Sequence, residues 1–178
     1  EMKKIASDIG IGRSTLYRYF PSKEQLAVYV AVELIERMLF ADLVEKVDPA
    51  LDGYGKTGAF LGLYAARLRE RPDLLRFFLE YDSMFSVGDG DIPERRDYED
   101  RLVAEIETIA SFLREGQADG SVRADVDPIV FTITFIHSTV GLAQRFLTRT
   151  VRESDRYGID VSMLLDMQMG LILRAIKA

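Results

Sequence analysis

The side chains best suited to contact nucleic acid stand within the first 23 residues of the chain. Apolar spacing predicts two short helices, over residues 2–8 and 13–19, with a tight turn at Gly10 between them. On the second helix, arginine can donate two hydrogen bonds to guanine, and threonine can offer its methyl group to thymine. Tyr17 and Tyr19 on this helix, and Lys23 just after it, are placed to bind phosphates. The predicted DNA-contacting residues are Lys3, Arg13, Ser14, Thr15, Tyr17, Arg18, Tyr19 and Lys23.

The two short helices are expected to share a small apolar core. Ala6 lies where the helices would cross, and Gly10 follows four residues later at the turn. The side chains spaced to fill this core are Ile5, Ile9, Ile11 and Leu16. Such spacing is typical of a helix-turn-helix, whose second helix enters the major groove with its N-terminus first. Similar helix pairs also occur in other helical proteins, so spacing alone leaves that alternative open.

Charge is distributed unevenly along the 178 residues, whose formal net charge is −6. Residues 1–26 carry five basic and three acidic side chains, a net charge of +2. The remaining 152 residues carry 18 basic and 26 acidic side chains, a net charge of −8. A mildly basic end on an acidic body suits a protein that presents one end to a polyanion such as double-stranded DNA.

Apolar residues recur at helical spacing through almost the whole chain, and no stretch alternates as a strand does. Ser22 followed by Gln25 predicts the start of a long third helix that continues past Leu39. After the break at Asp48-Pro49, a helix is predicted to about Glu70. Because each glycine weakens a helix by about 1 kcal/mol relative to alanine, the glycine-rich stretch from Gly53 leaves the part from Ala59 onward as the part that the sequence supports. Later helices are predicted over 74–85, 94–117, 128–149 and 159–178, with a turn-rich segment at 86–93 and a charged connection at 152–158.

The predicted architecture is therefore all-α with about eight helices. A helix-turn-helix DNA-binding domain with the start of the connecting helix is expected over residues 1–46. A helical ligand-binding and dimerisation domain is expected over residues 47–178.

The composition argues against several kinds of active site. The chain has no cysteine and a single histidine, His137, which removes thiolate and multi-histidine metal sites. No nucleophile and base stand out as a pair, so we predict no catalytic residue, cofactor or metal. The alternative hypothesis is that the helical body is an enzyme. With no long apolar run and no signal-peptide pattern, we predict a soluble, cytoplasmic protein without a membrane partner.

The last two long helices are apolar on more than one side. A helix that only covers its own core needs one apolar stripe, so a second stripe indicates a partner. Gly141 and Gly170 would allow such helices to approach closely. We predict a homodimer built from these helices, with a fully buried hairpin in a monomer as the alternative. The predicted interface residues are Ile133, Val140, Leu164, Met167 and Leu171.

Aromatic side chains are concentrated in the middle helices. At helical spacing each is more typical of plain core, but as a set they could line an apolar cavity of about 300–1,000 Å³ with a few polar anchors. His137 would either contact a ligand there or pack in the core or an interface. The acidic body favours a neutral or cationic small-molecule effector. The predicted ligand-contacting residues are Phe60, Tyr64, Phe78, Tyr81, Phe85, Phe112, Thr134 and His137.

The N-terminal sequence resembles the DNA-binding signature of the TetR (tetracycline repressor) family of bacterial transcription regulators. The matching residues are Ile5-Ala6, Gly10, Thr15-Leu16-Tyr17, Tyr19-Phe20 and Ser22-Lys23-Glu24 with Leu26. The resemblance implies a helix-turn-helix on a helical body that dimerises through its last two long helices. Two features depart from the family pattern. Members have a further helix before the motif, which this chain is expected to lack, and Gly12 stands where Ser or Thr commonly caps the recognition helix.

Two functional hypotheses follow. The first is a TetR-like DNA-binding transcriptional regulator, acting as a repressor, whose operator affinity is modulated by a small molecule in the helical body. The alternative is a dimeric helical module that binds small molecules without binding DNA.

Overall fold

The computed structural model describes residues 1–85, 93–148 and 156–178. Eight helices and one isolated β-bridge lie within these ranges, which confirms the predicted all-α fold. The helices are α1 (Met2–Asp8), α2 (Arg13–Tyr19), α3 (Lys23–Leu34, continued by a π-helical segment Ile35–Phe40 and an α-helical turn Ala41–Val44), α4 (Gly53–Glu70), α5 (Pro72–Met84), α6 (Pro93–Asp119), α7 (Pro128–Thr148) and α8 (Val161–Ile176). Almost all of the turn-rich segment predicted at 86–93, and the first part of the connection predicted at 152–158, lie outside the described residues.

Helices α1 and α2, together called the head, pack around a small core of their own. Its buried residues are Met2, Ala6 and Leu16. Gly10 has a φ of +74°, a left-handed conformation that turns the chain from one helix into the next. The expectation that Ile9 and Ile11 fill this core is wrong, because these side chains are 59% and 37% exposed. Ile9 is the C-cap of α1 and Ile11 follows the left-handed glycine, so neither lies on the buried face of α1.

Helix α3 connects the head to the body, which consists of α4–α8. It begins as predicted at Ser22, whose Oγ accepts a hydrogen bond from the Gln25 N–H at 3.1 Å. Its continuation is buried in the main core of the body through Leu39, Phe40 and Leu43. The helix therefore contributes to the packing of both parts of the chain, and the domain division at residue 46 stays a prediction.

Helix α4 spans Gly53–Glu70, so the predicted helix is present and begins six residues before Ala59, within the glycine-rich stretch that the sequence did not support. The Asp52 carboxylate caps the helix by accepting a hydrogen bond from the Gly55 N–H at 2.7 Å. Gly53 is also required by packing, because a Cβ atom there would lie 1.9 Å from the backbone nitrogen of Gly116 on α6. The cap and this close helix contact offset the weak helix propensity of glycine.

Several helix ends meet at one end of the body, which we call the base. The Gly53 N–H at the start of α4 donates to the Asp119 carboxylate at the end of α6, with a distance of 2.8 Å. The Arg123 N–H, in the loop before α7, donates to the carbonyl oxygen of Ile176 at 2.9 Å, at the end of α8. Hydrogen bonds therefore join these helix ends in addition to apolar packing.

The main core of the body is built around aromatic rings. Tyr64, which is 2% exposed, lies with its ring centre 5.8 Å from Phe40, 6.1 Å from Phe60 and 5.6 Å from Phe135. These rings come from α3, α4 and α7, so the core joins the connecting helix to the body. Among the described residues, none of the helices is both long and apolar enough to cross a membrane.

Candidate nucleic-acid interface and effector cavity

The recognition helix α2 divides its residues between a buried and an exposed face. Leu16 is 3% exposed and anchors the helix to the core of the head. Arg13, Ser14 and Arg18 are exposed, and Tyr19 is 66% exposed. Such a division leaves polar and cationic groups available to the grooves of DNA while one apolar residue holds the helix in place.

Two aromatic rings support the arginines of α2. The guanidinium carbon of Arg13 lies 5.2 Å from the ring centre of Tyr17, and that of Arg18 lies 5.3 Å from the ring centre of Tyr19. The Tyr17 ring is half-buried and also packs against the core of the head. Cation–π contacts at exposed sites contribute about 0.5–1 kcal/mol each, which favours these positions of the two guanidinium groups on the surface of α2.

The remaining predicted DNA contacts lie at the edges of α2. Thr15 is half-buried, whereas Lys3 on α1 is exposed. Lys23 is exposed and is the first residue of α3, directly after the N-cap Ser22. Gly12 is the N-cap of α2 with extended backbone, so its backbone approaches any partner without a side chain in between.

A cavity of about 110 Å³ lies in the body between α3, α4, α5, α6 and α7. Three of the predicted ligand-contacting residues line it, namely Tyr64, Phe78 and His137. Other lining residues are Ile35, Leu39, Phe40, Leu68, Leu75, Asp82, Tyr98, Leu102, Ile136 and Val140. The cavity is mostly apolar with a few polar groups, as ligand sites are, and it is smaller than the predicted volume.

The structure does not bring the other predicted ligand contacts to this cavity. Phe60 is fully buried behind Tyr64. Tyr81 and Phe85 belong to a small core between α3 and α5, and Phe112 packs against the main core. Thr134 lies in a separate open groove, which is also lined by Phe131, Phe135 and Ile172.

Several cavity residues were not found from the sequence. Asp82 lies four residues after Phe78 on α5, and this spacing puts both on one face; the spacing was a usable signal. Burial raises the pKa of Asp82, and burial also raises the pKa of the Tyr98 hydroxyl. Ile35 reaches the cavity from the π-helical segment, which has no recognised sequence signal.

Helices α7 and α8 leave an apolar strip exposed on the single chain. Ile133, Met167 and Leu171 are 38%, 59% and 56% exposed. Val140 and Leu164, the other predicted interface residues, are half-buried within the chain. The alternative of a hairpin fully buried in a monomer is wrong, because these helices keep one apolar side open to solvent.

Comparison with known proteins gives a match to a family model and matches to individual sequences. Residues 1–30 match the family model described as "Bacterial regulatory proteins, tetR family". An uncharacterised HTH-type transcriptional regulator of Mycobacterium tuberculosis is 27% identical over 82 residues, 46% of this chain and 35% of that protein. The aligned part thus spans about a third of that relative. The HTH-type transcriptional repressor KstR2 of Mycolicibacterium smegmatis is 28% identical over 146 residues, 82% of this chain and 68% of the repressor.

Solved structures share the whole fold. The transcriptional regulator FadR from Bacillus subtilis, in complex with stearoyl-CoA, superposes with a TM-score of 0.70 at 16% identity. The superposition covers 97% of this chain and 87% of FadR. At this identity the likeness concerns the fold.

Two short helices on a helical body define the chain as a helix-turn-helix protein. At its head the chain matches the model of the tetR family of bacterial regulatory proteins, and the whole chain shares the fold of solved transcriptional regulators.

Proposed function

We propose that the protein is a DNA-binding transcriptional repressor that works as a homodimer and responds to a small molecule in its body. The observation that carries this proposal is α2, which exposes Arg13, Ser14 and Arg18 while Leu16 holds it to the head. The match of residues 1–30 to regulatory proteins supports the same function. A cytoplasmic location and the lack of enzymatic activity stay predictions that accord with a regulator.

Base recognition is assigned to the N-terminal half of α2. Arg13 and Ser14 follow the side-chain-free N-cap Gly12, where a helix can come close to base edges. The Arg13 guanidinium would donate to guanine. Arg18, Tyr19, Lys3 and Lys23 would contact phosphates, with Thr15 and the Tyr17 hydroxyl at the same surface.

The exposed strip on α7 and α8 supports a homodimer. Met167 and Leu171 lie four residues apart on α8, and Ile133 is exposed on α7, which packs against α8. An isologous contact between two such strips would bury this apolar surface in both chains. A dimer also fits DNA recognition, because two heads could occupy successive major grooves about 34–36 Å apart.

The path from cavity to head supports effector control. Ile35, Leu39 and Phe40 of the π-helical segment form part of the cavity wall. The same helix continues without a break to Lys23 beside the head. A molecule that binds one position of this segment better would shift the position of the head, with a coupling free energy of about 1–3 kcal/mol.

An electrophoretic mobility-shift assay tests DNA binding, with the native full-length protein and the upstream region of its own gene. We expect specific retention that weakens as salt rises from about 50 to about 200 mM. Arg13→Ala should relax base preference at one position and lower affinity about 5- to 150-fold. Tyr17→Phe keeps the ring packing and should weaken binding to all sequences alike.

Arg114→Ala is the matched control, because Arg114 is an exposed arginine of α6 that pairs with Glu107 at 3.0 Å. This variant should bind DNA as the unmodified protein does. No specific retention at any salt concentration in that range would contradict the proposal.

A further inference from the structure

The cavity in the body carries a carboxylate at its rim. Asp82 on α5 is exposed to solvent and also lines the cavity, together with half-buried Tyr98 of α6 and exposed His137 of α7. Apolar side chains such as Phe78 and Leu102 form most of the remaining wall. Because the effective dielectric constant falls next to apolar groups, a charge in this position acts more strongly on a bound molecule than it would in water.

The groups around Asp82 determine the charge that a ligand would meet. Burial raises the pKa of Asp82, and the charges of His137 and Arg95 oppose that rise. Arg95 is paired with Glu99 at 2.9 Å and lies 5.8 Å from the ring centre of Phe85. Among the described residues that line the cavity, none is a lysine or an arginine. The acidic side chain is therefore the main fixed charge at the rim.

We propose that the cavity takes a compact apolar amine, with its apolar group against Tyr64 and Phe78 and its ammonium group on Asp82. This inference rests on the effector role proposed for the cavity. An ammonium group would donate charge-assisted hydrogen bonds to the Asp82 carboxylate. The ring of Tyr98, which also lines the cavity, offers a face that attracts cations.

The size of the cavity limits the apolar part of the ligand. The cavity encloses about 110 Å³, whereas an apolar space of about 150 Å³ accommodates one benzene molecule. A short alkyl group therefore fits without movement of the walls, whereas a single ring fits only with part of it in the open rim beside Asp82. The stearoyl chain bound to B. subtilis FadR is much larger, and the phosphates of coenzyme A would meet a carboxylate here rather than the basic side chains they need.

Three one-ring probes of different charge test the proposal, namely benzylamine, toluene and benzoate. Binding to the unmodified protein without DNA is followed by titration of the methyl signals of leucine, isoleucine and valine in NMR spectra. We expect benzylamine to bind about tenfold more tightly than benzoate, with toluene between them. Equal or tighter binding of benzoate would overturn the proposal, and so would the absence of binding by all three probes at about 10 mM.

Variants of Asp82 distinguish the contribution of its charge to ligand binding from the contribution of the apolar cavity. Asp82→Asn should reduce the affinity for benzylamine to that for toluene and leave toluene unchanged, whereas Asp82→Glu should keep the preference. Leu102→Phe should weaken all three probes because it fills the cavity. Asp100→Asn is the matched control, an exposed aspartate on α6 that does not line the cavity. A preference for benzylamine that survives Asp82→Asn would overturn the proposal.

The readout needs no DNA, so the two proposals fail separately. Loss of the charge preference would leave DNA binding by the head untouched. A protein that selects benzylamine through Asp82 but binds no operator would instead contradict the proposed repressor function.

Discussion

Asp119 holds the start of α4 through hydrogen bonds that suit its ionised form. Its carboxylate accepts from the Gly53 N–H and from the Ser121 N–H, each at 2.8 Å. The hydroxyl of Ser121 also accepts from the Tyr54 N–H at 3.0 Å. Hydrogen bonds from the Ser121 side chain, and then from these backbone groups, lower the pKa of Asp119. A single carboxylate thus links α4 to α6 and to the loop that follows.

This pKa predicts the pH dependence of stability. Because the pKa of Asp119 is lower in the folded chain than in the unfolded one, its stabilisation is present above pH ~4 and is lost as pH falls through the folded pKa. Asp119→Ala should lower the urea midpoint at pH 7, and the difference from the unmodified protein should shrink toward pH 3. Urea unfolding at several pH values measures it, with Asp100→Ala as the control. A difference independent of pH would contradict this role.

Residues of the head are more predictable from the sequence than residues of the cavity. The partners of Leu16, Gly10 and Ser22 all lie within the first 26 residues of the chain, so spacing over a short stretch contains the needed information. Asp82 becomes a cavity residue only because α6 and α7 pack beside α5. Such contacts between distant segments cannot be read from periodicity, and the aromatic residues expected to line one cavity are distributed among several cores for the same reason.

At the level of elements, α4 shows that glycines in one helix have opposite roles. A Cβ atom at Gly53 would overlap the backbone of Gly116, whereas one at Gly62 would meet nothing within 4 Å. The first glycine allows α4 and α6 to approach each other. The second contributes only its weak helix propensity.

The two positions therefore predict opposite effects on the free energy of unfolding. Gly53→Ala should destabilise the protein by about 3 kcal/mol or prevent folding, because backbone atoms of α6 must move. Gly62→Ala should stabilise it by about 0.5–1 kcal/mol. Urea or thermal unfolding measures both variants. A stable Gly53→Ala variant would mean that the contact between α4 and α6 is looser than described.

The π-helical segment Ile35–Phe40 interrupts α3 at the level of the cavity. Its residues are ordinary helix formers, and the sequence predicted an unbroken helix past Leu39. The segment, whose turns are wider than those of an α-helix, packs against α4 and α6. π-Helical turns inside α-helices are frequent at functional sites, which agrees with the place of this segment between the cavity and the head.

For the whole molecule, the exposed strip on α7 and α8 makes a prediction about assembly. The unmodified protein should have twice the mass of its 20.2 kDa chain in solution. Leu171→Asp should convert it to a monomer, because an unpaired charge would be buried in the contact, and should weaken operator binding by removing the second head. Sedimentation equilibrium measures the mass.

Val103→Asp is the control for this prediction. Val103 is an apolar residue of α6 that is 59% exposed, as Met167 is, but lies outside the strip. This variant should keep the dimer mass. A monomeric unmodified protein, or a dimer that persists in Leu171→Asp, would place the contact elsewhere.

The overall architecture follows from the sequence more fully than its details do. Helical periodicity gave the number and order of the helices, because each must bury one apolar face. The start of α4 differed, since the Gly53–Gly116 contact depends on a helix more than 60 residues away. A dimerising face was predicted from surplus apolar stripes, and the strip left open on Met167 and Leu171 accords with that reasoning.

The hydrogen bonds at the base join several helix ends at one end of the body. The Asp119 carboxylate and the Ile176 carbonyl oxygen brace the ends of α4, α6 and α8 there, whereas none of the residues that line the cavity takes part in these hydrogen bonds. Movement caused by a bound molecule should therefore be concentrated near the π-helical segment. Its amplitude should increase along α3 toward the head. A small displacement at the cavity wall would in this way become a larger change in the position of the head, and therefore in the spacing of the two heads of the proposed dimer.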